Sequence, residues 1–313
     1  MRVLITGVTG FIGYHLSKAL IEKGYDVYGL VRFVSTGRRL PDGIKFIYGD
    51  LTDYHSIIKA VEEVMPHLVF HLAALTPVSE SFNMPRTYME TNVIGTINLV
   101  EALRKKALEN LELFVFAGTT EMYDSAEPIS PKSEFSPTSP YAVSKISAYY
   151  YLEYMRKTYN LPYVVVVPTN TYGRAFVGQR HFVIEKLITE MLQGREKIIM
   201  GRLDTERDFM FREDHVSAYL SILEKKEKEE IIGKLFTFGT GKYHTIAEVV
   251  KIIAEITGWR GEILPNVYVR PNEPKRIVVD YSEAKRVLGW EPKYDIRSGL
   301  ERAVSEWKQV LGV

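Results

Sequence analysis

The sequence predicts an α/β protein: a doubly wound parallel sheet followed by a smaller mixed α/β C-terminal lobe. Three observations carry this. Short apolar runs alternate with helical patterns through the first half of the chain, as parallel sheets wound on both faces require. The glycines at 7, 10 and 13 fall directly after the first apolar run. The run YVVVV at 163–167 is continuously apolar and β-branched, the signature of a strand covered on both faces.

In order, RVLIT (2–6) is a short apolar run bounded by glycine and reads as a buried strand. GVTGFIG and a helical pattern through Lys23 follow, with Gly24 as a C-cap. A strand, glycine turn and helix in this order form the unit that binds a dinucleotide pyrophosphate, a Rossmann-type arrangement. Gly7, Gly10 and Gly13 allow close backbone approach, and the helix start at Phe11 and Ile12 offers free N–H groups. The spacing is GxxGxxG rather than GxGxxG. A ligand-free glycine turn is the competing reading, and its place directly after the first strand argues against it.

The second strand, DVYGLV (26–31), ends at Arg32. An acidic residue there would bond a ribose 2′-hydroxyl and indicate NAD, whereas arginine suits a 2′-phosphate. NADP is therefore favoured and NAD is the alternative, with Ser35, Arg38 and Arg39 as further phosphate-pocket candidates and a solvated basic loop as the plain reading. Asp50 and Leu51 follow a third strand at 45–48, where Asp50 is placed to meet adenine. A fourth strand (68–73) runs into Leu72, Ala73 and Ala74, small enough to let a cofactor lie against backbone. His71 in this strand is read as internally packed and hydrogen-bonded in preference to an acid or base. Helices are expected at 11–23, 53–64, 87–106 and 140–159, and further strands at 113–117 and 163–167.

After Pro168 the pattern changes. Residues 1–168 are expected to form the dinucleotide domain, with a return of the chain to it near 215–240, and 169–313 the substrate lobe. A helix near 215–226, a strand at 235–238 and helices near 245–257, 282–288 and 296–311 are expected there. The charged run 225–230 reads as a solvated helix end.

Composition bounds the function. The 313 residues are 46% hydrophobic and 25% charged, as in ordinary globular proteins. A net charge of +1 offers no broad attraction for nucleic acid or a membrane surface. Without cysteine there are no disulfides, no thiolate chemistry and no cysteine-type zinc site. No apolar run approaches the ~20 residues of a membrane span. The chain opens on a strand rather than a signal peptide, so the cytoplasm is the default.

The chemistry centres on SPYAVSK. Tyr141 and Lys145 are four apart on one helical face. A free phenol titrates near ~10, and a cation held against it favours the phenolate, which then takes a proton from a substrate hydroxyl. Upstream, Thr119 and Thr120 are placed to bond a substrate hydroxyl. Glu121 adds a carboxylate that a dry cleft would turn into a general acid or base, in preference to a surface-loop glutamate.

These motifs together resemble the extended short-chain dehydrogenase/reductases that act on nucleotide sugars. They are TGVTGFIG (6–13), DL (50–51), HLAA (71–74), TNVIGT (91–96), TTE (119–121), YAVSK (141–145), PTNTYG (168–173), RDF (207–209) and RPNE (270–273). The resemblance implies a Rossmann domain, a nucleotide-sugar lobe and a homodimer. Stretches 29–39 and 201–209 are similar to GDP-mannose 4,6-dehydratases and their GDP-sugar relatives. It further implies that Thr119, Glu121, Tyr141 and Lys145 are catalytic. Tyr141 and Lys145 also meet the cofactor, while Asn170, Arg207 and Arg270 meet the nucleotide-sugar, Arg207 and Arg270 at the diphosphate; Thr76 and Arg180 are further substrate-contact candidates. Asp124 where glycine is usual, Phe33 after Arg32, and the epimerase-like TPVSES (76–81) depart from the dehydratase pattern. The expected function is a nucleotide-sugar 4,6-dehydratase, GDP-sugars first and UDP-sugars second. The alternatives are a 4-epimerase, a reductase or decarboxylase of the same family, and a non-catalytic NADP sensor. Arg174 and Arg180 are each either a ligand contact or solvated.

Overall fold

A computed structural model describes residues 1–32, 40–124, 127–174, 182–226, 229–268 and 271–313. The chain divides into two compact units. One comprises Met1–Tyr123, Glu134–Val167 and Ala218–Phe236; the other Asp124–Ser133, Pro168–Ser217 and Thr237–Val313. The chain thus leaves the first unit three times: for a ten-residue excursion at 124–133, for residues 168–217, and finally after 236.

The first unit is built on a seven-stranded sheet. β1 (Arg2–Thr6), β2 (Asp26–Val31), β3 (Lys45–Tyr48), β4 (Leu68–His71), β5 (Leu113–Ala117) and β6 (Tyr163–Pro168) are joined by a seventh strand, Lys234–Phe238. The order is the seventh strand, then β6, β5, β4, β1, β2 and β3. The strands β1 to β6 pair in parallel. Residues Leu68–Phe70 and Tyr163–Val167 are buried, as parallel strands with helices on both faces must be. The strand order reverses between β1 and β4. Ligands of open α/β sheets bind beyond the carboxyl ends of strands at such a reversal, and Thr6 and His71 end the two strands there.

Local chemistry sets the helices. α1 (Phe11–Glu22) buries Gly13, Leu16, Ser17 and Leu20, one face repeating every three to four residues. α2 (Tyr54–Val64) starts at Asp53, whose carboxylate accepts from the His55 N–H at 3.0 Å. The helix Pro140–Tyr159 starts at Ser139, whose hydroxyl accepts from the Ala142 N–H at 3.2 Å. Proline at its first position has no N–H to leave orphaned. Each such cap is worth about 1 kcal/mol. The helix expected over 87–106 is broken: a turn at Pro85–Tyr88 leads into a π-helix, Met89–Ile94, before the α-helix Gly95–Lys106.

The second unit has its own core, where Ile188, Phe211, Val249, Leu300 and Trp307 pack together. Complete burial of such a side chain stabilises by about 1.5–3 kcal/mol. The helix Ile246–Thr257 opens on a capping box between Thr245 and Glu248, and Ile296–Leu311 opens on Asp295. No described helix is long and apolar enough to cross a membrane.

Candidate active site

The glycine turn and β4 meet. Gly7 takes φ +75°, and a Cβ there would lie 2.7 Å from the Ala73 nitrogen. A Cβ on Gly13 would lie 2.2 Å from the Gly7 carbonyl oxygen. No side chain is tolerated at either position without backbone movement. Gly10 is the N-cap of α1 and makes no side-chain cap, and the first turn, with Phe11 and Ile12, holds no acidic residue. Bare N–H groups, a positive helix end and a floor kept open by glycine fit a pyrophosphate, so these residues suit a dinucleotide.

The other expected cofactor residues follow the ends of β2, β3 and β4. Arg32 is exposed directly after β2. Asp50 follows β3, where one carboxylate oxygen accepts from the Thr52 N–H at 2.9 Å and the Thr52 hydroxyl at 2.8 Å. Leu51 is buried and its carbonyl accepts from Asn98. Leu72, Ala73 and Ala74 lie past the end of β4, half-buried. Ser35, Arg38, Arg39 and Phe33 lie outside the described residues.

Thr119 ends the segment after β5 and caps the short turn Thr120–Met122, accepting from the Glu121 N–H at 3.2 Å. Glu121 is 9% exposed. Tyr141 and Lys145 lie in the first turns of the helix Pro140–Tyr159, at 7% and 3% exposure. Their electrostatics differ from the simple ion-pair expectation. Burial pushes the Tyr141 phenol well above a free phenol; a Thr119 hydrogen bond opposes this, and the charges of Glu121 and Tyr88 add to it. Burial also brings Lys145 down to about 7. Its ammonium stands 4.2 Å over the Phe116 ring centroid, and its charge acts on His71. Desolvation penalises both charged forms, so in the protein alone the phenol keeps its proton. The edge of one ring meets the face of the other between Tyr88 and Tyr141, at 6.3 Å, and the Tyr88 hydroxyl donates to Pro77 at 2.6 Å.

Two residues that sequence reasoning left without a role, Asn92 and Ser144, join these parts. Asn92 lies in the π-helix and is 2% exposed. Its Oδ1 accepts from the Leu75 N–H at 2.8 Å, and its Nδ2 donates to the Leu75 carbonyl at 3.1 Å and to Ser144 Oγ at 2.9 Å. Ser144 then donates to the Tyr141 carbonyl at 2.7 Å. The only signal in the sequence was a polar residue inside TNVIGT. His71 is buried between Thr6 and Thr96, at 2.7 and 2.9 Å, as its internally bonded reading requires.

Of the expected substrate residues, Thr76 is exposed in the first unit. Asn170 and Arg207 lie in the second. Asn170 starts a short strand, and its buried Oδ1 has no hydrogen-bond partner. Arg207 is 4% exposed, donates to the carbonyls of Glu206 and Lys275, and pairs with Glu273 at 3.3 Å. Arg174 is half-buried. Arg180 and Arg270 lie outside the described residues. No cluster of metal-ligating side chains occurs among the described residues.

Residues 4–303 match the family model described as GDP-mannose 4,6 dehydratase. The human protein named GDP-mannose 4,6 dehydratase is 31% identical, over 93% of this chain and 87% of its own length. A UDP-glucose 4-epimerase from Thermotoga maritima, solved with UDP-glucose, superposes with a TM-score of 0.88 at 31% identity, covering 99% of this chain and 100% of that one. A Thermus thermophilus UDP-glucose 4-epimerase complex with NAD superposes with a TM-score of 0.88 at 29% identity, covering 98% and 99%.

Proposed function

This chain belongs to the GDP-mannose 4,6 dehydratase family, within the extended short-chain dehydrogenase/reductases, and from that premise we propose that it is a nucleotide-sugar 4,6-dehydratase acting on a GDP-hexose of the mannose type. It is an NAD(P)-dependent nucleotide-sugar enzyme. The observation that carries the dehydratase reading is Glu121: a buried carboxylate whose charge reaches the phenol of Tyr141, two residues after Thr119. Dehydration needs a base for the hydrogen on carbon 5 in addition to the group that works at carbon 4. A simple 4-epimerase needs only the second.

Tyr141 takes the proton of the sugar 4-hydroxyl while Thr119 orients that hydroxyl. When bound, the dinucleotide supplies the two-electron oxidation at carbon 4, its return at carbon 6, and a positive charge that favours the phenolate. Lys145 adds to that charge once the site is loaded. The 4-ketone acidifies the hydrogen on carbon 5; Glu121 removes it and passes it to the carbon 6 hydroxyl, which leaves as water, and the proton that Tyr141 took from the 4-hydroxyl ends on carbon 5 as carbon 6 is reduced. The sum is loss of one water from the hexose, with the dinucleotide unchanged overall. Arg32, exposed after β2, supports NADP over NAD. Thr76, Asn170, Arg180, Arg207 and Arg270 are the proposed substrate contacts, and a homodimer belongs to the same reading.

The second reading is a 4-epimerase of UDP-sugars, favoured by the named activities of the superposed structures and by TPVSES at 76–81. Incubation with GDP-mannose, with UDP-, CDP- and dTDP-hexoses in parallel, separates the two by mass and NMR. A 4-keto-6-deoxy product with GDP-mannose is expected. A mass-neutral epimer of a UDP-hexose would favour the second reading, and no product with any of them would sink both.

A further inference from the structure

The hydrogen bonds around His71 have a direction, and it is fixed by the groups at their ends. The Thr96 hydroxyl donates to the Asn92 carbonyl at 2.6 Å, and a carbonyl only accepts. The single Thr96 proton is thereby spent, so the 2.9 Å contact between His71 Nε2 and Thr96 Oγ1 is an N–H donated by the histidine. In a neutral ring, Nδ1 is then the acceptor, and at 2.7 Å it takes the proton of Thr6 Oγ1. Thr6 Oγ1 is left to accept the Ala73 N–H at 3.1 Å. Every donor has one acceptor and no proton is duplicated. Burial keeps the ring neutral, with its pKa lowered to about 3 and the Lys145 charge acting in the same sense.

The chain of bonds runs from the Ala73 main chain through Thr6, His71 and Thr96 to the Asn92 main chain. The Asn92 amide then grips both polar groups of Leu75 and, through Ser144, the carbonyl of Tyr141. Thr6, His71, Asn92, Thr96 and Ser144 are each 2% exposed or less. A π-helix places Asn92 at this junction, and π-turns recur where function needs an off-register side chain.

We propose that His71 is a positioning residue, held as the Nε2–H tautomer, that ties the cofactor-facing segment 72–75 to the turn carrying Tyr141. The proposal rests on the dinucleotide reading of the glycine turn, but not on which sugar is consumed. It predicts a division of labour between the two hydroxyls. Thr6 serves the cofactor side, because it alone accepts the Ala73 N–H. Thr96 serves the catalytic side, because it fixes the Asn92 main chain.

Two measurements test it. In protein labelled with nitrogen-15 histidine, long-range correlation spectra should show the His71 ring protonated at Nε2 and bare at Nδ1, and unchanged from neutral pH to pH 5. An Nδ1–H ring, or a ring titrating near an ordinary histidine, overturns the proposal without any variant. Thr6→Val and Thr96→Val keep shape and remove one hydroxyl each. Loss of one buried hydrogen-bond partner corresponds to about a tenfold effect or more. Thr6→Val should weaken NADP+ or NAD+ binding by calorimetry about tenfold, whereas Thr96→Val should leave binding within about threefold and lower kcat about tenfold. Equal losses of binding in both variants overturn the division of labour. Tautomer and cofactor binding are read without a sugar substrate, so failure here is distinct from failure of the dehydratase reading.

Discussion

A side chain on Gly13 would stand 2.2 Å from the carbonyl oxygen of Gly7. The obstacle is backbone, so no rotamer change relieves it. Overpacking of this kind costs typically about 1–3 kcal/mol, and here it also shifts the turn proposed to hold the pyrophosphate. Gly13→Ala should lower Tm in differential scanning calorimetry and weaken NADP+ and NAD+ binding by at least about tenfold in titration calorimetry. A variant that keeps both wild-type values would mean that the start of α1 is not held against the turn.

Tyr141→Phe and Glu121→Gln separate proton transfer at carbon 4 from proton transfer at carbon 5. Loss of a positioned acid or base typically costs about 10²–10⁴ in rate. Tyr141→Phe should lower turnover of every accepted sugar by about that factor, with cofactor affinity within about threefold. Glu121→Gln should abolish water loss and spare the carbon 4 step, seen as retained exchange or epimerisation at carbon 4. A Glu121→Gln protein that still releases a 4-keto-6-deoxy product removes this carboxylate from the mechanism.

Much of the first unit was legible in local pattern. The strands at 2–6, 26–31, 45–48 and 113–117 and the helix at 140–159 stand where periodicity places them, because each buries one face or both. Two departures have a common cause in long-range polar contacts. The strand expected over 68–73 stops at His71 because the N–H groups of Ala73 and Leu75 leave the ladder for Thr6 Oγ1 and Asn92 Oδ1. The helix expected over 87–106 contains a π-turn, and one extra residue is invisible to a 3.6-residue period. Asn92 and Ser144 gain their roles from partners 17 and 52 residues away. The electrostatics of Tyr141 and Lys145 depend on burial, which four-residue spacing does not report. The expected helix near 215–226 begins at Arg212, and its later residues belong to the first unit.

Opposed titrations shape the acid stability. His71 and His215 are buried and their pKa values fall from 6.5 to about 3. Both are neutral in folded and unfolded chains above pH 6.5. As pH falls from 6.5 toward 3 the unfolded chain takes up protons that the folded one refuses, and stability is lost. Glu185 and Asp208 are raised to about 7 and about 6 by burial, from 4.5 and 3.8. Their folded forms take protons first, so stability is gained as pH falls from 7 to 4.5 and from 6 to 3.8. Two losses and two gains offset each other over most of that range, and below pH 4 the gains are complete while the losses continue. Calorimetric Tm should be nearly flat from pH 7 to about 4.5 and fall steeply below about 4. Glu185→Gln removes one gain, so its decline should begin nearer pH 6. A variant whose profile parallels the wild type would mean that Glu185 titrates in the folded protein as it does in the unfolded chain.

Asp208 gives the sharpest stability prediction in the second unit. It is fully buried beside Arg207. One carboxylate oxygen accepts the Thr240 N–H at 2.9 Å and the Thr240 hydroxyl at 2.7 Å; the other accepts the N–H groups of Gly241 at 3.0 Å and Val279 at 3.4 Å. Asparagine offers a single acceptor oxygen, and its amide nitrogen would face two N–H donors. A buried donor left without an acceptor costs about 1–3 kcal/mol, so Asp208→Asn should be less stable than wild type by roughly that amount per lost bond at pH 8 in urea unfolding. The pH dependence of that gap has a definite sign. Asparagine does not titrate, whereas the wild-type folded state takes up a proton at Asp208 near pH 6, before the unfolded chain does at 3.8. The wild type therefore gains on its variant as pH falls from 6 to 3.8. That gain is about 3 kcal/mol at most. A gap that stays constant between pH 8 and pH 4.5 would show that the four bonds hold Asp208 charged despite its burial, with its folded pKa no higher than that of the unfolded chain.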